Sequence, residues 1–200
     1  MNKYMKLVLG VVCFLAFMAG VFVLYHNLVK EYKSGQNMVV VEEQAEPSLE
    51  EEIPAEDKSS QMAVDFVMTN GAGEEVRLFD FKGKPVILNF WASWCGPCKA
   101  ELPDFQDAYD KYGEEVEFIL LNMTDGRQET VETAQQFISK EGYTLPIYFD
   151  TLDMQGAYTY GVSAIPTTFF ISEEGEVIAY ASGMLDGETL EYGISMIFSE

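Results

Sequence analysis

The sequence predicts an α/β domain with a mixed central sheet over residues 61–200, preceded by a membrane anchor and an acidic tether. Three observations lead there. Segments of strand and helix character alternate through this region, the pattern of strands joined by helical crossovers. Pro85-Val86-Ile87-Leu88-Asn89-Phe90-Trp91 is a nearly continuous apolar run, as expected of a central strand covered on both faces. Towards the C-terminus two alternating segments flank Glu173-Glu174-Gly175, the mark of an antiparallel hairpin.

The N-terminal third is not part of this pattern. Leu7 to Leu28 carries no formally charged side chain and, at about 1.5 Å per residue, is long enough to cross a hydrocarbon layer of roughly 30 Å. Lys3 and Lys6 precede it, and Lys30 and Lys33 follow. Ala16 and Ala19, the nearest approach to a small-x-small cleavage site, are spaced wrongly and lie inside the apolar run. An uncleaved anchor over residues 1–30 is therefore expected rather than a cleaved signal. Cys13 follows Val11-Val12 rather than a small residue and reads as a lipid-facing apolar side chain, and His26 as an interfacial one. With so short a tail before it, the span is expected to leave the bulk of the chain on the extracytoplasmic side of a cell membrane, crossed once. Residues 31–60 hold nine acids, two lysines and the prolines Pro47 and Pro54. Such a run self-repels and reads as an extended, disordered spacer.

Within the domain, Val64–Met68 and Glu75–Phe79 read as strands joined by the turn Asn70-Gly71-Ala72-Gly73. After the central strand, Cys95 to about Tyr112 has helical character, with a kink expected at Pro103 and an end at Gly113. Val116–Asn122 is a second buried strand. Gln128–Lys140 is an amphipathic helix with Val131, Ala134, Phe137 and Ile138 on one face, stopped by Gly142. Leu145–Phe149 reads as a strand, Met154–Tyr160 as a short helix, Thr167–Ser172 and Glu176–Ala181 as the hairpin, and Leu190–Phe198 as a final helix.

Composition narrows the function. An apolar fraction of 48% supports a packed core, and Lys+Arg 12 against Asp+Glu 33 gives a net charge of −21. A surface of that sign excludes nucleic acid and anionic lipid as partners. Three cysteines and one histidine are too few for a disulfide scaffold or a multi-ligand zinc site, so neither a metal nor a cofactor is expected. The chemistry sits at Trp94-Cys95-Gly96-Pro97-Cys98-Lys99. Two thiols separated by two residues, at the start of a helix and directly after a buried strand, suit thiol–disulfide exchange. Cys95 would lie at the helix N-terminus, where unpaired amides favour thiolate, and is the expected attacking sulfur. Cys98, one turn inside, is expected to keep its proton until it resolves a mixed disulfide. Pro97 suits a first helical turn, and a zinc role for the pair would need two further ligands that the domain lacks. Lys99 reads as a solvated cation near Cys95, Trp91 as a packing residue, and Trp94 as an exposed contact surface.

Trp91-Ala92-Ser93-Trp94-Cys95-Gly96-Pro97-Cys98-Lys99 resembles the active-site segment of the thioredoxin superfamily. Phe81-Lys82-Gly83-Lys84-Pro85, Glu101-Leu102-Pro103 and Tyr160-Gly161-Val162-Ser163-Ala164-Ile165-Pro166-Thr167-Thr168-Phe169 are further similar to its membrane-anchored TlpA/ResA-like branch. The resemblance covers about residues 63–198. It implies a thioredoxin fold with an added N-terminal β-hairpin and an inserted helix, a cis Pro166 beside the two cysteines, and an extracytoplasmic thiol–disulfide oxidoreductase. A cis bond there would present the Ile165 backbone to a partner's extended chain, alongside Trp94, Gly96 and Pro97. Glu101, three positions after Cys98 and on the same helix face, matches an active-site glutamate of that branch. It is expected to be partly buried, with its pKa raised, and to exchange a proton with Cys98. Ordinary thioredoxins carry a buried aspartate where this chain has Asn89, which cannot ionise.

The Gly-Pro dipeptide is that of reducing thioredoxins, so a reductant of partner disulfides is expected, functioning as a monomer. The family suggests a CcdA/DsbD-type membrane thiol relay as its electron donor. It also suggests apocytochrome c or an extracytoplasmic methionine sulfoxide reductase as acceptor. The alternatives are a disulfide-forming oxidant and a non-catalytic thioredoxin-fold binding module or metal chaperone.

Overall fold

The computed structural model describes residues 18–20, 22, 38–40 and 61–198. Residues 18–20 and 22 are helical and belong to a separate unit, 1–36, from the remainder of the chain. Among the described residues no helix is long and apolar enough to cross a membrane. The span expected over 7–28 otherwise lies outside the described residues, as does the tether apart from 38–40.

An eight-stranded mixed sheet organises the domain. Its strands are β1 (Met38–Val40), β2 (Val67–Asn70), β3 (Glu75–Arg77), β4 (Val86–Trp91), β5 (Glu117–Asn122), β6 (Ile147–Phe149), β7 (Thr167–Ile171) and β8 (Val177–Ser182). The helices are α1 (Gly96–Tyr112), α2 (Val131–Glu141), α3 (Gln155–Thr159) and α4 (Gly187–Ile197). The spatial order is β1-β8-β7-β4-β5-β6-β2-β3. β4, β5 and β6 run parallel, β7 and β8 return antiparallel on one side, and the β2–β3 hairpin closes the other edge against β6.

All six residues of β4 are buried, which explains why its sequence does not alternate. Its side chains still alternate between two cores. Ile87 and Trp91 join Leu102, Phe105, Phe118, Phe170 and Ile194 on one face, while Val86, Leu88 and Phe90 join Phe66, Met68, Ile119 and Leu121 on the other. Period-two geometry therefore sends Asn89 to the face of Ile87 and Trp91, which α1 covers. Gly193 lets α4 lie close on β7: a Cβ there would stand 2.3 Å from the ring of Phe170.

Several element boundaries differ from the sequence expectation, each for a local reason. Val64–Phe66 is not in a strand; the hairpin's first strand begins at Val67. The expected strand Glu75–Phe79 ends at Arg77 and gives way to a 3-10 turn, Leu78–Phe81. There Asp80 accepts from Arg77 N (2.8 Å) and Asp65 from Phe79 N (3.1 Å). α2 starts at Val131 rather than Gln128, because Asp125 Oδ1 accepts from the amides of Arg127, Gln128 and Glu129 and winds them into a turn. Thr130 then caps the helix, and Gly142 ends it at φ 78° as expected. α4 begins at Gly187, three residues early, because Asp186 accepts from Thr189 N. α1 runs unbroken through Pro103. Met38–Val40, inside the segment expected to be a spacer, is a strand: it pairs with β8 at Met38↔Ala181, Val39↔Tyr180 and Val40↔Ala179.

Candidate active site

The turn after β4 carries the sulfurs. Cys95 N donates to Ala92 O (3.1 Å), closing a four-residue turn, and Cys95 is the N-cap of α1 with Pro97 in the first helical turn. Cys95 and Cys98 are joined by a disulfide, with Sγ–Sγ at 2.06 Å, and Cys98 N donates to Cys95 Sγ at 3.2 Å. That amide is one of the unpaired donors of a helix N-terminus, and it is placed to stabilise negative charge on Cys95 once the bridge opens. Cys95 is 4% exposed and Cys98 not at all, so a partner can reach only the first sulfur. Gly96, Pro97 and Lys99 are exposed around it, and Trp94 is 50% exposed at the rim.

β7 brings the second half of the site. The Ile165–Pro166 bond is cis, as the resemblance implied, and it sets Ile165 O 3.8 Å from Cys95 Sγ. Thr167 Oγ1 donates to Ala164 O (2.8 Å) and holds this loop in place. Trp94, Met123, Asp125, Met154, Val162 and Ile165 are among the residues that line a cleft of about 470 Å³ next to the sulfurs. Met154 adopts the left-handed conformation at φ 53°, uncommon for a residue with a side chain.

Behind the disulfide lies a buried polar group. Glu101 is completely buried on α1, deeper than the partial burial expected from sequence. Its Oε1 accepts from Asn89 Nδ2 (2.9 Å) and its Oε2 from Leu185 N (3.0 Å). Burial pushes its pKa up to about 8; the two hydrogen bonds, which favour the carboxylate, only partly oppose that rise, and nearby Asp104 adds to it. Asn89 Nδ2 also donates to Thr168 Oγ1 (2.9 Å), so both its protons are used. Asn89 Oδ1 is a buried polar atom with no partner among the described residues.

Glu129 is a site residue that no motif marks. Its side chain is 1% exposed and sits beside the active-site turn. Oε1 accepts from Ser93 N (2.9 Å) and Asn122 Nδ2 (2.7 Å), and Oε2 from Ser93 Oγ (2.8 Å). The sequence pattern places Glu129 inside the helix expected over Gln128–Lys140, off its apolar face. Its real position in the chain, the last residue before the Thr130 cap, turns it inward. Among the described residues no group of three or more His, Cys, Asp or Glu side chains is placed to hold a metal ion.

This arrangement has counterparts. Residues 60–180 match the AhpC/TSA family. The chain belongs to that family. It is 38% identical over 136 residues to the thiol-disulfide oxidoreductase ResA of Geobacillus kaustophilus, a match covering 68% of this chain and 75% of that protein. With ResA of Bacillus subtilis it shares 36% over 124 residues, or 62% and 66% of the two chains. Among solved structures, StoA from Bacillus subtilis superposes with a TM-score of 0.57 at 32% identity, covering 66% of this chain and 96% of that one. As a ResA-like thiol–disulfide oxidoreductase of the AhpC/TSA family, the chain acts on disulfide-bearing partners, and Cys95 and Cys98 are the one described cysteine pair able to do so.

Proposed function

We propose that this oxidoreductase works on the extracytoplasmic side of a cell membrane, anchored by one helix over residues 7–28, and reduces disulfides in partner proteins. The observation that carries the redox reading is the Cys95–Cys98 bridge at the head of α1, with one sulfur reachable beside the cis Ile165–Pro166 bond. The anchor rests on the uncharged apolar run at the N-terminus.

In the reduced protein, Cys95 thiolate attacks a partner sulfur. The new Cys95–partner bond forms as the partner disulfide breaks, and the displaced thiolate takes a proton from water. Cys98 then gives its proton to ionised Glu101 and attacks Cys95 Sγ. The mixed disulfide breaks, the second partner thiolate leaves and is protonated, and the Cys95–Cys98 bridge holds the oxidation. One electron pair has moved from this chain to the partner. With Glu101 near 8 and an ordinary thiol near about 8.5, that proton passes between groups of closely matched affinity. The exposed face of Trp94 and the Ile165 backbone would orient the partner's extended chain along the cleft. A second electron pair must reset the bridge, the role we assign to a membrane thiol relay of the CcdA/DsbD type. Oxidised apocytochrome c or a methionine sulfoxide reductase would be the acceptor.

Insulin reduction by the purified protein tests the reading. The wild type should accelerate insulin precipitation, Cys95→Ser should not, and Cys98→Ser should accumulate the mixed disulfide. A wild type no faster than Cys95→Ser would leave a binding module as the better account.

A further inference from the structure

Glu129 is a buried carboxyl group that the exchange steps above do not use. Three donors converge on its two oxygens, and no Lys or Arg ion pair is recorded for it among the described residues. It grips Ser93, the second residue of the turn that Cys95 N closes onto Ala92 O. Ser93 lies two residues before Cys95, a stretch of chain that spans at most about 7 Å, so a carboxylate bonded to Ser93 sits on the order of 10 Å from Cys95 Sγ. We propose that Glu129 is a positioning and electrostatic tuning residue: its buried negative charge opposes thiolate formation at Cys95 and so holds the Cys95–Cys98 pair on the reducing side.

The inference rests on the thiol-exchange reading and extends it. Other charges also face Cys95. The free amides of the first turn of α1 and exposed Lys99 favour its thiolate. Asp125 on the cleft wall opposes it, as does Glu101 whenever that group is ionised. Glu129 differs from Asp125 in being shielded from solvent, where screening is weak. At about 10 Å and an effective dielectric constant of about 20, a unit charge alters a neighbouring ionisation roughly tenfold, and partial screening makes it about three- to tenfold.

The hydrogen-bond pattern makes the charge separable from the strut. In Glu129→Gln, Oε1 still accepts from Ser93 N and Asn122 Nδ2, while the new amide donates to Ser93 Oγ, which can accept as well as donate. Glu129→Asp does the reverse, keeping the charge and losing reach. The test is the rate of Cys95 alkylation by iodoacetamide against pH, on the reduced full-length protein. Glu129→Gln should lower the Cys95 midpoint by roughly half to one pH unit, while Glu129→Asp stays near the wild type. Above that midpoint, the same factor of about three to ten moves the reduction potential up by roughly 15–30 mV. A Glu129→Gln midpoint equal to the wild type, or an equal fall in both variants, would overturn the proposal. If Glu129→Gln does not fold, a lowered midpoint in Glu129→Asp overturns it and an unchanged one upholds it. A wild type inactive on insulin would defeat the functional reading, yet the alkylation comparison would still decide this one.

Discussion

Glu101→Gln isolates what a buried carboxyl group does to this fold. Below about pH 4.5 the side chain is neutral in both folded and unfolded chains and adds no pH dependence. As pH rises, the unfolded chain releases its proton near 4.5, while the folded protein holds it to about 8. The folded state therefore binds the extra proton through this window, and stability falls by about 1.4 kcal/mol per pH unit. Above 8 both states are ionised and the loss stops growing, at a ceiling of about 5 kcal/mol. Glutamine never ionises, so Glu101→Gln should gain on the wild type along that slope. Its amide can replace the present bonds, accepting from Leu185 N and donating to Asn89 Oδ1 after the Asn89 amide turns over. Glu117 and Asp150, also raised by burial, are present in both proteins and cancel in the difference. Urea denaturation of the oxidised proteins at intervals from pH 4 to 9 measures it. A difference that stays flat across this range would mean that the folded protein does not hold the Glu101 proton above pH 4.5.

Two further perturbations probe the same architecture. Asn89→Leu removes a donor to the Glu101 carboxylate worth roughly 1 kcal/mol, so the Glu101 midpoint should rise by about 0.7 pH unit, read by NMR of the labelled carboxyl carbon; a fall would be inconsistent with that bond. Gly193→Ala forces a methyl group against Phe170, so α4 must shift away from β7 at a cost of about 1–3 kcal/mol in denaturation. Wild-type stability in that variant would show that the two elements pack more loosely.

The parts of the site legible in sequence are those built from neighbours in the chain. The Cys95–Cys98 spacing, Pro97 in the first turn and Glu101 one turn beyond Cys98 follow from helix geometry alone. Local chemistry also marks the Gly142 helix end and the turn at Asn70, whose Oδ1 accepts from Ala72 N and Glu74 N. What was hidden comes from segments far apart. The complete burial of Glu101 depends on β4 and on Leu185 in the loop after β8, 84 residues away. The inward turn of Glu129 has no local signal, because Asp125, not the hydrophobic period, decides where α2 begins. The cis state of Pro166 was visible only through family resemblance, since an X–Pro bond is cis in just about 5% of cases. Pairing of Met38–Val40 with β8 had no signal either: three apolar residues among acids give a propensity but no partner.

A reductant must hold its electrons less tightly than the disulfides it opens. Equilibration of the purified protein with glutathione redox buffers, read by mass tagging of Cys95 and Cys98, measures that tendency directly. A single two-electron transition is expected at a potential near or below thioredoxin's, about −270 mV. A potential near that of the strong oxidant DsbA, about −120 mV, or two thiols that never form a bridge, would contradict it.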